Sequence, residues 1–318
     1  MGTHPARGFM LLEAARRSSG FAATVPPDAS ARRLPGGNFG ERFQVARGCF
    51  MRHSTRWALS LYTAPVRLLG PALAALAYVV SFVSLLVWPV AVALVLLVTW
   101  PFDRNRAIAG RLLRLVGVLI SRSFPLWKIR LEGRWPPGRG AYVVVANHQS
   151  FLDIFLMCHL PREMKWIAKR ELFRIPWVGW SFYLSGDIPL DRGHTASALA
   201  VMARARRYLD RGMSVVIFPE GTRSPDGKLL PFKAGAFKLA LEAGVPVLPI
   251  AISGTAQGMP KGGPWLRPSQ LTLRILDPVP TKGLGNRDLR RLRDDARERI
   301  ARALGQESEV GPRRRRTP

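Results

Sequence analysis

The stretch VVVANHQSFLDIF (143–155) places a histidine and an aspartate five positions apart, His148 and Asp153. These are the residue types of a general base and the carboxylate that orients it. Within one helix, residues five apart lie about 140° apart around the axis and do not meet. Across a strand-to-helix turn the chain folds back and the two side chains come within reach. Asp153 then fixes the imidazole tautomer and stabilises the imidazolium, leaving the other ring nitrogen free as a base. A purely structural reading competes: Ser150 to Asp153 fits the [ST]-x-x-[DE] capping box, with Asp153 bonding back to the Ser150 amide. Ser150 is the one tempting nucleophile near His148. The chain holds no G-x-S-x-G elbow, so the base more naturally activates a substrate hydroxyl.

A second group follows another apolar run, in FPEGTRS (218–224). Gly221 permits a sharp turn and close approach of a ligand, Arg223 can clamp a phosphate bidentately, and Glu220 can accept hydrogen bonds from substrate hydroxyls. An ordinary polar turn is the alternative. Between the two groups, KWIAKRELFRIPWVGW (165–180) mixes cations and aromatics as an interfacial element would, and GDIPLDR (186–192) ends in an arginine. Lys169 and Arg192 are candidate phosphate ligands there, against the reading that they are solvated cations on a basic protein.

These residues need a frame that brings strand ends together. Short β-rich runs lie at 128–133, 142–147, 214–219, 245–253 and 271–276, with helical stretches at 195–211 and 234–243 between them. Near-continuous apolar strands alternating with helices predict an α/β fold, a largely parallel sheet flanked by helices. Ligands in such sheets bind beyond the C-terminal strand ends, where His148 and Glu220 fall. A polar last helix, 286–304, is expected on the outside.

From Leu68 to Phe102 the chain has no charged residue, and arginines flank both sides. As a single helix this run is about 52 Å long against a hydrocarbon core of about 30 Å, and Pro89 sits in its middle. A membrane helical hairpin with both flanks on the cytoplasmic face reconciles these facts; a single tilted span is the alternative. The expected organisation is a disordered basic extension over 1–50, a membrane-associated helical region over 51–125, an α/β domain over 126–304 and a basic tail over 305–318.

Composition narrows the partners. The 48 Lys and Arg against 21 Asp and Glu give a formal net charge of +27, which favours anionic lipid, phosphorylated substrates or nucleic acid. The uncharged run argues against nucleic acid. Two cysteines, Cys49 and Cys158, make no disulfide framework, and the five histidines have no metal-ligand spacing, so no metal is expected.

NHQSFLD carries the H-x4-D motif of the glycerolipid acyltransferases. GDIPLDR resembles their second block, FPEGTRS their third and VPVLPIAI (245–252) their fourth, in order and over about 102–280. The resemblance is greatest to the branch that acylates lysophosphatidic acid. It implies the glycerolipid acyltransferase fold with an N-terminal helical hairpin, on the cytoplasmic face of the inner membrane. His148 would deprotonate the free hydroxyl of lysophosphatidic acid as it attacks an acyl thioester, with Asp153 orienting His148. Lys169 and Arg223, assisted by Arg192, would hold the acceptor phosphate, Glu220 and Gly221 would shape the acceptor pocket, and Pro249 the fourth-block turn. No cofactor is implied; acyl-CoA or acyl-carrier protein is the donor. The rivals are acylation of a lyso-ornithine lipid or lysophosphatidylglycerol, hydrolysis through Ser150, and a non-enzymatic basic protein.

Overall fold

Val143, Val144 and Val145 are each fully buried, as an apolar strand covered on both faces must be. The computed structural model describes residues 75–191, 193, 195–260 and 266–306. The strands are β1 (Trp127–Glu132), β2 (Val143–Ala146), β3 (Met164–Lys169), β4 (Ile188–Leu190), β5 (Ser214–Ile217), β6 (Val247–Ser253) and β7 (Ser269–Ile275). They form one sheet in the order β1-β7-β6-β2-β5-β3-β4. From β6 to β4 every pairing is parallel; β7 runs antiparallel to β6, and β1 is parallel to β7. The C-terminal ends of β2, β3, β4, β5 and β6 therefore share one edge.

The helices are α1 (Ala75–Thr99), α2 (Ala107–Ser123), α3 (Leu152–Met157), α4 (Val178–Ser185), α5 (Thr195–Asp210), α6 (Gly235–Ala243), α7 (Thr255–Gly258) and α8 (Leu289–Ala303). Successive side chains of a strand point to opposite faces. Val143, Val145, Val215 and Ile217 accordingly join the core layer under α5, α6 and α8, and Val144, Ala146, Val216 and Leu248 the layer under α2 and α3. The last helix is amphipathic: Leu292, Ala296 and Ile300 are buried and its charged face is outward.

Two strands have little signal in the sequence. β4 is only three residues long, and β3 carries two lysines, one of which, Lys165, is wholly buried. Its Nζ donates to the carbonyls of Ser185 (2.7 Å) and Arg106 (3.0 Å) and pairs with Glu163 (3.4 Å). The interfacial reading of 165–180 thus fails for its first half, which is sheet.

The helical hairpin expected within 68–102 is not formed, and the single long helix of the alternative is what the structure has over the described part of that run. α1 runs unbroken through Pro89 to Thr99, long and apolar enough to cross a membrane, and the chain turns back at residues 100–106. The helix that follows the turn is α2. Asp103 caps it, accepting the Ala107 and Ile108 amides at 2.8 and 2.7 Å. Packing of Val92 and Leu96 against Ala109, and a 2.7 Å bond from Trp88 Nε1 to the Leu112 carbonyl, hold the two helices together across the proline. Residues 68–74, the extension over 1–50 and the tail from 307 lie outside the described residues.

Beneath β3 and β4 lies a buried charged cluster that the sequence does not announce. Arg114 Nη2 donates to both oxygens of Asp187, at 2.6 and 2.7 Å, and stands 3.6 Å from Glu163. Its guanidinium lies 4.5 Å from the Trp166 ring centroid. Asp187 also accepts the Trp166 amide (3.0 Å) and the Ser185 hydroxyl (3.0 Å). Burial raises the Glu163 carboxyl and lowers the Lys165 ammonium from their ordinary ranges.

Candidate active site

His148 leaves the end of β2 into the turn that begins α3, and the fold-back brings its ring to Asp153. The His148 Nδ1 to Asp153 Oδ2 distance is 2.7 Å, and Asp153 is completely buried. A carboxylate only accepts, so Nδ1 carries the hydrogen and Nε2 presents its lone pair. No hydrogen-bond partner for Nε2 exists among the described residues. The same Oδ2 accepts the Gln149 (2.7 Å) and Ser150 (2.9 Å) amides. The contact expected of a cap and the contact expected of an orienting carboxylate are therefore both present, and they share one oxygen.

Ser150 is fully buried and its hydroxyl donates to the Met259 carbonyl at 2.7 Å, which removes it as a nucleophile. Asn147 ties β2 to β6 by both ends of its amide, accepting the Ile252 amide (2.7 Å) and donating to the Ile252 carbonyl (2.8 Å). Phe218 stacks on the imidazole with ring centroids 4.3 Å apart. Neither Asn147 nor Phe218 stands out by residue type, although Asn147 directly precedes His148 and Phe218 lies two positions before Glu220.

Glu220 is at the same edge but turned inward. Its Oε1 accepts the His148 amide (2.8 Å) and its Oε2 the Leu230 amide (3.2 Å). Each oxygen is engaged with one backbone amide, which ties the Glu220 turn to the His148 turn. Burial raises its carboxyl to about 7 despite those two amides. A folded-state value above the ordinary 4.5 adds stability that is complete below about 4.5 and lost as pH rises through about 7. Glu220→Gln keeps one backbone amide and opposes the other with its own NH₂. We expect its stability, followed by denaturant unfolding across that window, to lose the decline shown by the parent, with kcat reduced about tenfold.

Gly221 has φ +71°, the left-handed region that favours glycine. A β-carbon there would lie 2.9 Å from Lys233 Nζ, so the Lys233 ammonium stands beside the turn as a cation the motifs did not single out. Arg223 is half-buried on the same loop, and the Ser224 amide donates to the His148 carbonyl (2.8 Å), joining the two motifs. Lys169 ends β3, exposed and 3.0 Å from Glu171. Arg192 lies outside the described residues. Pro249 is not in a turn: it pairs with Val145 within β6 and supports the edge from below. Its carbonyl accepts the Leu276 amide (3.1 Å), so its missing N–H faces the point where the β6–β7 ladder begins.

Beside Phe151 opens a cavity of about 430 Å³ with an almost wholly apolar lining. Leu85 and Trp88 of α1, Gly117 of α2, Cys158 and Met259 contribute to it. A β-carbon on Gly117 would lie 2.5 Å from Cys158 Sγ, so glycine lets α2 and the end of α3 meet.

Comparison with known proteins bears on this site. Residues 128–253 match the Acyltransferase family model, a span that contains every site residue proposed from the sequence. A 1-acyl-sn-glycerol-3-phosphate acyltransferase from Chlamydomonas reinhardtii is 39% identical over 66% of this chain and 64% of its own length. One from Limnanthes douglasii is 34% identical over 64% of this chain and 72% of its own. The chain belongs to the 1-acyl-sn-glycerol-3-phosphate acyltransferase family. The crystal structure of the acyltransferase PlsC from Thermotoga maritima, acting on 1-acyl-sn-glycerophosphate, superposes with a TM-score of 0.58 at 30% identity, covering 74% of this chain and 97% of that one. The mixed sheet flanked by helices is the fold of this acyltransferase family. The chain spans less than two thirds of the algal relative's length, and the Acyltransferase match begins only at β1, after α1 and α2.

Proposed function

We propose that the protein transfers an acyl group from an acyl thioester to the free hydroxyl of 1-acyl-sn-glycerol 3-phosphate, forming phosphatidic acid. The observation that carries this reading is the His148–Asp153 pair at the C-terminal edge of the sheet, where Lys169, Arg223 and Lys233 also stand, with an apolar cavity lined by Phe151 and Leu152 of the same turn. The names of the relatives supply the acceptor.

In the reaction His148 Nε2 takes the proton of the acceptor hydroxyl as its oxygen attacks the thioester carbonyl. Asp153, buried and bonded to Nδ1–H, stabilises the imidazolium. The tetrahedral intermediate collapses with cleavage of the carbon–sulfur bond, and the proton on Nε2 passes to the departing thiolate, so no covalent enzyme intermediate forms. Arg223 and Lys169 hold the acceptor phosphate, with Arg192 assisting, and the apolar cavity takes an acyl chain. The α1 helix keeps the chain at the bilayer, with catalysis on the cytoplasmic face of the inner membrane.

Acyl transfer from radiolabelled acyl-CoA, and in parallel from acyl-carrier protein, tests this with lysophosphatidic acid and lysophosphatidylglycerol as competing acceptors. Phosphatidic acid as the dominant product is expected; preference for lysophosphatidylglycerol would overturn the acceptor assignment. Arg223→Ala is expected to raise the KM for lysophosphatidic acid about 10- to 100-fold with kcat little changed, the loss of a charge-assisted bond to phosphate. An unchanged KM would remove Arg223 from the phosphate site.

A further inference from the structure

The second half of the 165–180 segment is built differently from the first. After the 3₁₀ turn Arg170–Arg174, Trp177 has φ 64° and ψ −56°, and the Val178 amide donates to the Pro176 carbonyl at 2.7 Å. This is a γ-turn of the strained, positive-φ type, centred on a bulky aromatic that disfavours it. The strain brings no burial to the side chain. Trp177 is 41% exposed and Trp180 53%, their rings paired at 4.9 Å, with Ile175 and Tyr183 exposed beside them.

The platform under these side chains is rigid. The Gly179 amide donates to the Ile175 carbonyl at 2.7 Å, and a β-carbon on Gly179 would lie 2.1 Å from the Phe173 carbonyl oxygen. Phe173 itself is buried against Phe182 and Tyr183. The platform is also continuous with the apolar helix. Arg106, in the α1–α2 turn, donates to the Tyr183 carbonyl at 2.8 Å, and Ile175 and Val178 share the cavity wall with Leu85 and Trp88 of α1. α1 exposes Phe82, Leu94 and Leu97. Arg174 is exposed at the platform's other flank, where a lipid phosphate would meet it.

We propose that Ile175–Tyr183 is a second membrane contact, in which the strained turn drives Trp177 and Trp180 into the bilayer interface beside α1. Tryptophan and tyrosine favour the headgroup boundary, where an apolar ring and a polar edge are both satisfied, and a neighbouring arginine adds attraction to anionic lipid. The bilayer is the occupant because the exposed rings extend an apolar surface that α1 already presents. The contact rests on the membrane-bound reading above and sharpens it. It fixes the height of the sheet edge over the bilayer, so that an acceptor embedded in lipid reaches His148 without leaving the membrane.

The test uses the full chain carrying Cys49→Ser, with buried Cys158 retained, in vesicles of phosphatidylethanolamine and phosphatidylglycerol. A nitroxide is attached at Trp180→Cys or, as an exposed control on α6, at Glu242→Cys. The label at 180 is expected to be relaxed by oxygen far more than by a water-soluble nickel chelate, and the label at 242 the reverse. Equal access of the chelate to both positions would overturn the proposal. Shielding of 180 from both relaxants would overturn it too, assigning the face to a second protein copy. A second variant, Trp177→Ala with Trp180→Ala, is expected to raise the KM for vesicle-embedded acceptor roughly tenfold, the factor for returning one large apolar side chain to water. Its KM for a short-chain acceptor dispersed as monomers should be unchanged; equal loss on both would count against the proposal. The spin-label result needs no turnover, so it stands or falls independently of the acceptor assignment.

Discussion

His148→Ala is expected to lower kcat by about 10²- to 10⁴-fold while leaving the fold and the acceptor KM near those of the parent. His148 sits at the tip of β2 with its side chain 12% exposed, and its main-chain partners, Glu220 and Ser224, bond to its amide and carbonyl rather than to its ring. Truncation therefore removes the proton acceptor without dismantling the turn. The loss should appear in single-turnover acyl transfer as well as in steady state, because the missing step is chemical. Acceptor binding measured by calorimetry should persist; if binding vanished together with turnover, His148 would be a structural element of the acceptor site instead of its base. Free imidazole in the assay is expected to restore part of the rate, which a merely misfolded variant would not show.

The second large effect is on stability. Asp187→Asn is expected to destabilise the fold by about 3–5 kcal/mol, lowering the thermal midpoint of the detergent-solubilised protein by about 6–20 °C. The reason is what the substitution leaves behind. Arg114 is buried, both of its contacts at 2.6 and 2.7 Å are to Asp187, and Glu163 stands farther off at 3.6 Å. An asparagine leaves that guanidinium charged and buried, with only the more distant Glu163 opposite it. Replacing both partners with apolar residues of similar volume, Arg114→Met with Asp187→Leu, should recover most of the loss, since the ion pair itself contributes little net stability over a packed apolar pair. A single-variant loss below about 1 kcal/mol would mean that Glu163 can take over the arginine.

These two residues mark the limits of what the sequence discloses. His148 and Asp153 were legible because an apolar β-branched run ending in a polar pair is a strong local pattern, and the turn that joins them is short. Glu220 and Gly221 were legible as residue types at a strand end, but the direction of the Glu220 side chain was not. That direction depends on the Leu230 amide, ten residues away, and on His148, seventy-two away. The Arg114–Asp187 pair links residues seventy-three apart and looks in the sequence like two ordinary charges on a basic chain. β3 escaped notice for the same reason: Lys165 reads as a surface residue until Ser185 and Arg106 supply its carbonyl partners. Pro89 misled in the opposite sense. Its local cost is real, yet packing along α1 and α2 carries the helix through it. Charge-bearing strands and tolerated prolines are both tertiary facts.

The single oxygen of Asp153 that serves the imidazole and two backbone amides has an engineering consequence. Orientation of the imidazole and initiation of the following helix cannot be tuned apart, because any displacement of the carboxylate loosens all three donors together. A graft of this chemistry onto another parallel sheet would have to move the strand tip, the turn and the first helical turn as one cassette, from Asn147 to Asp153. Transplanting the two side chains alone would bring the reagents without the jig that holds them.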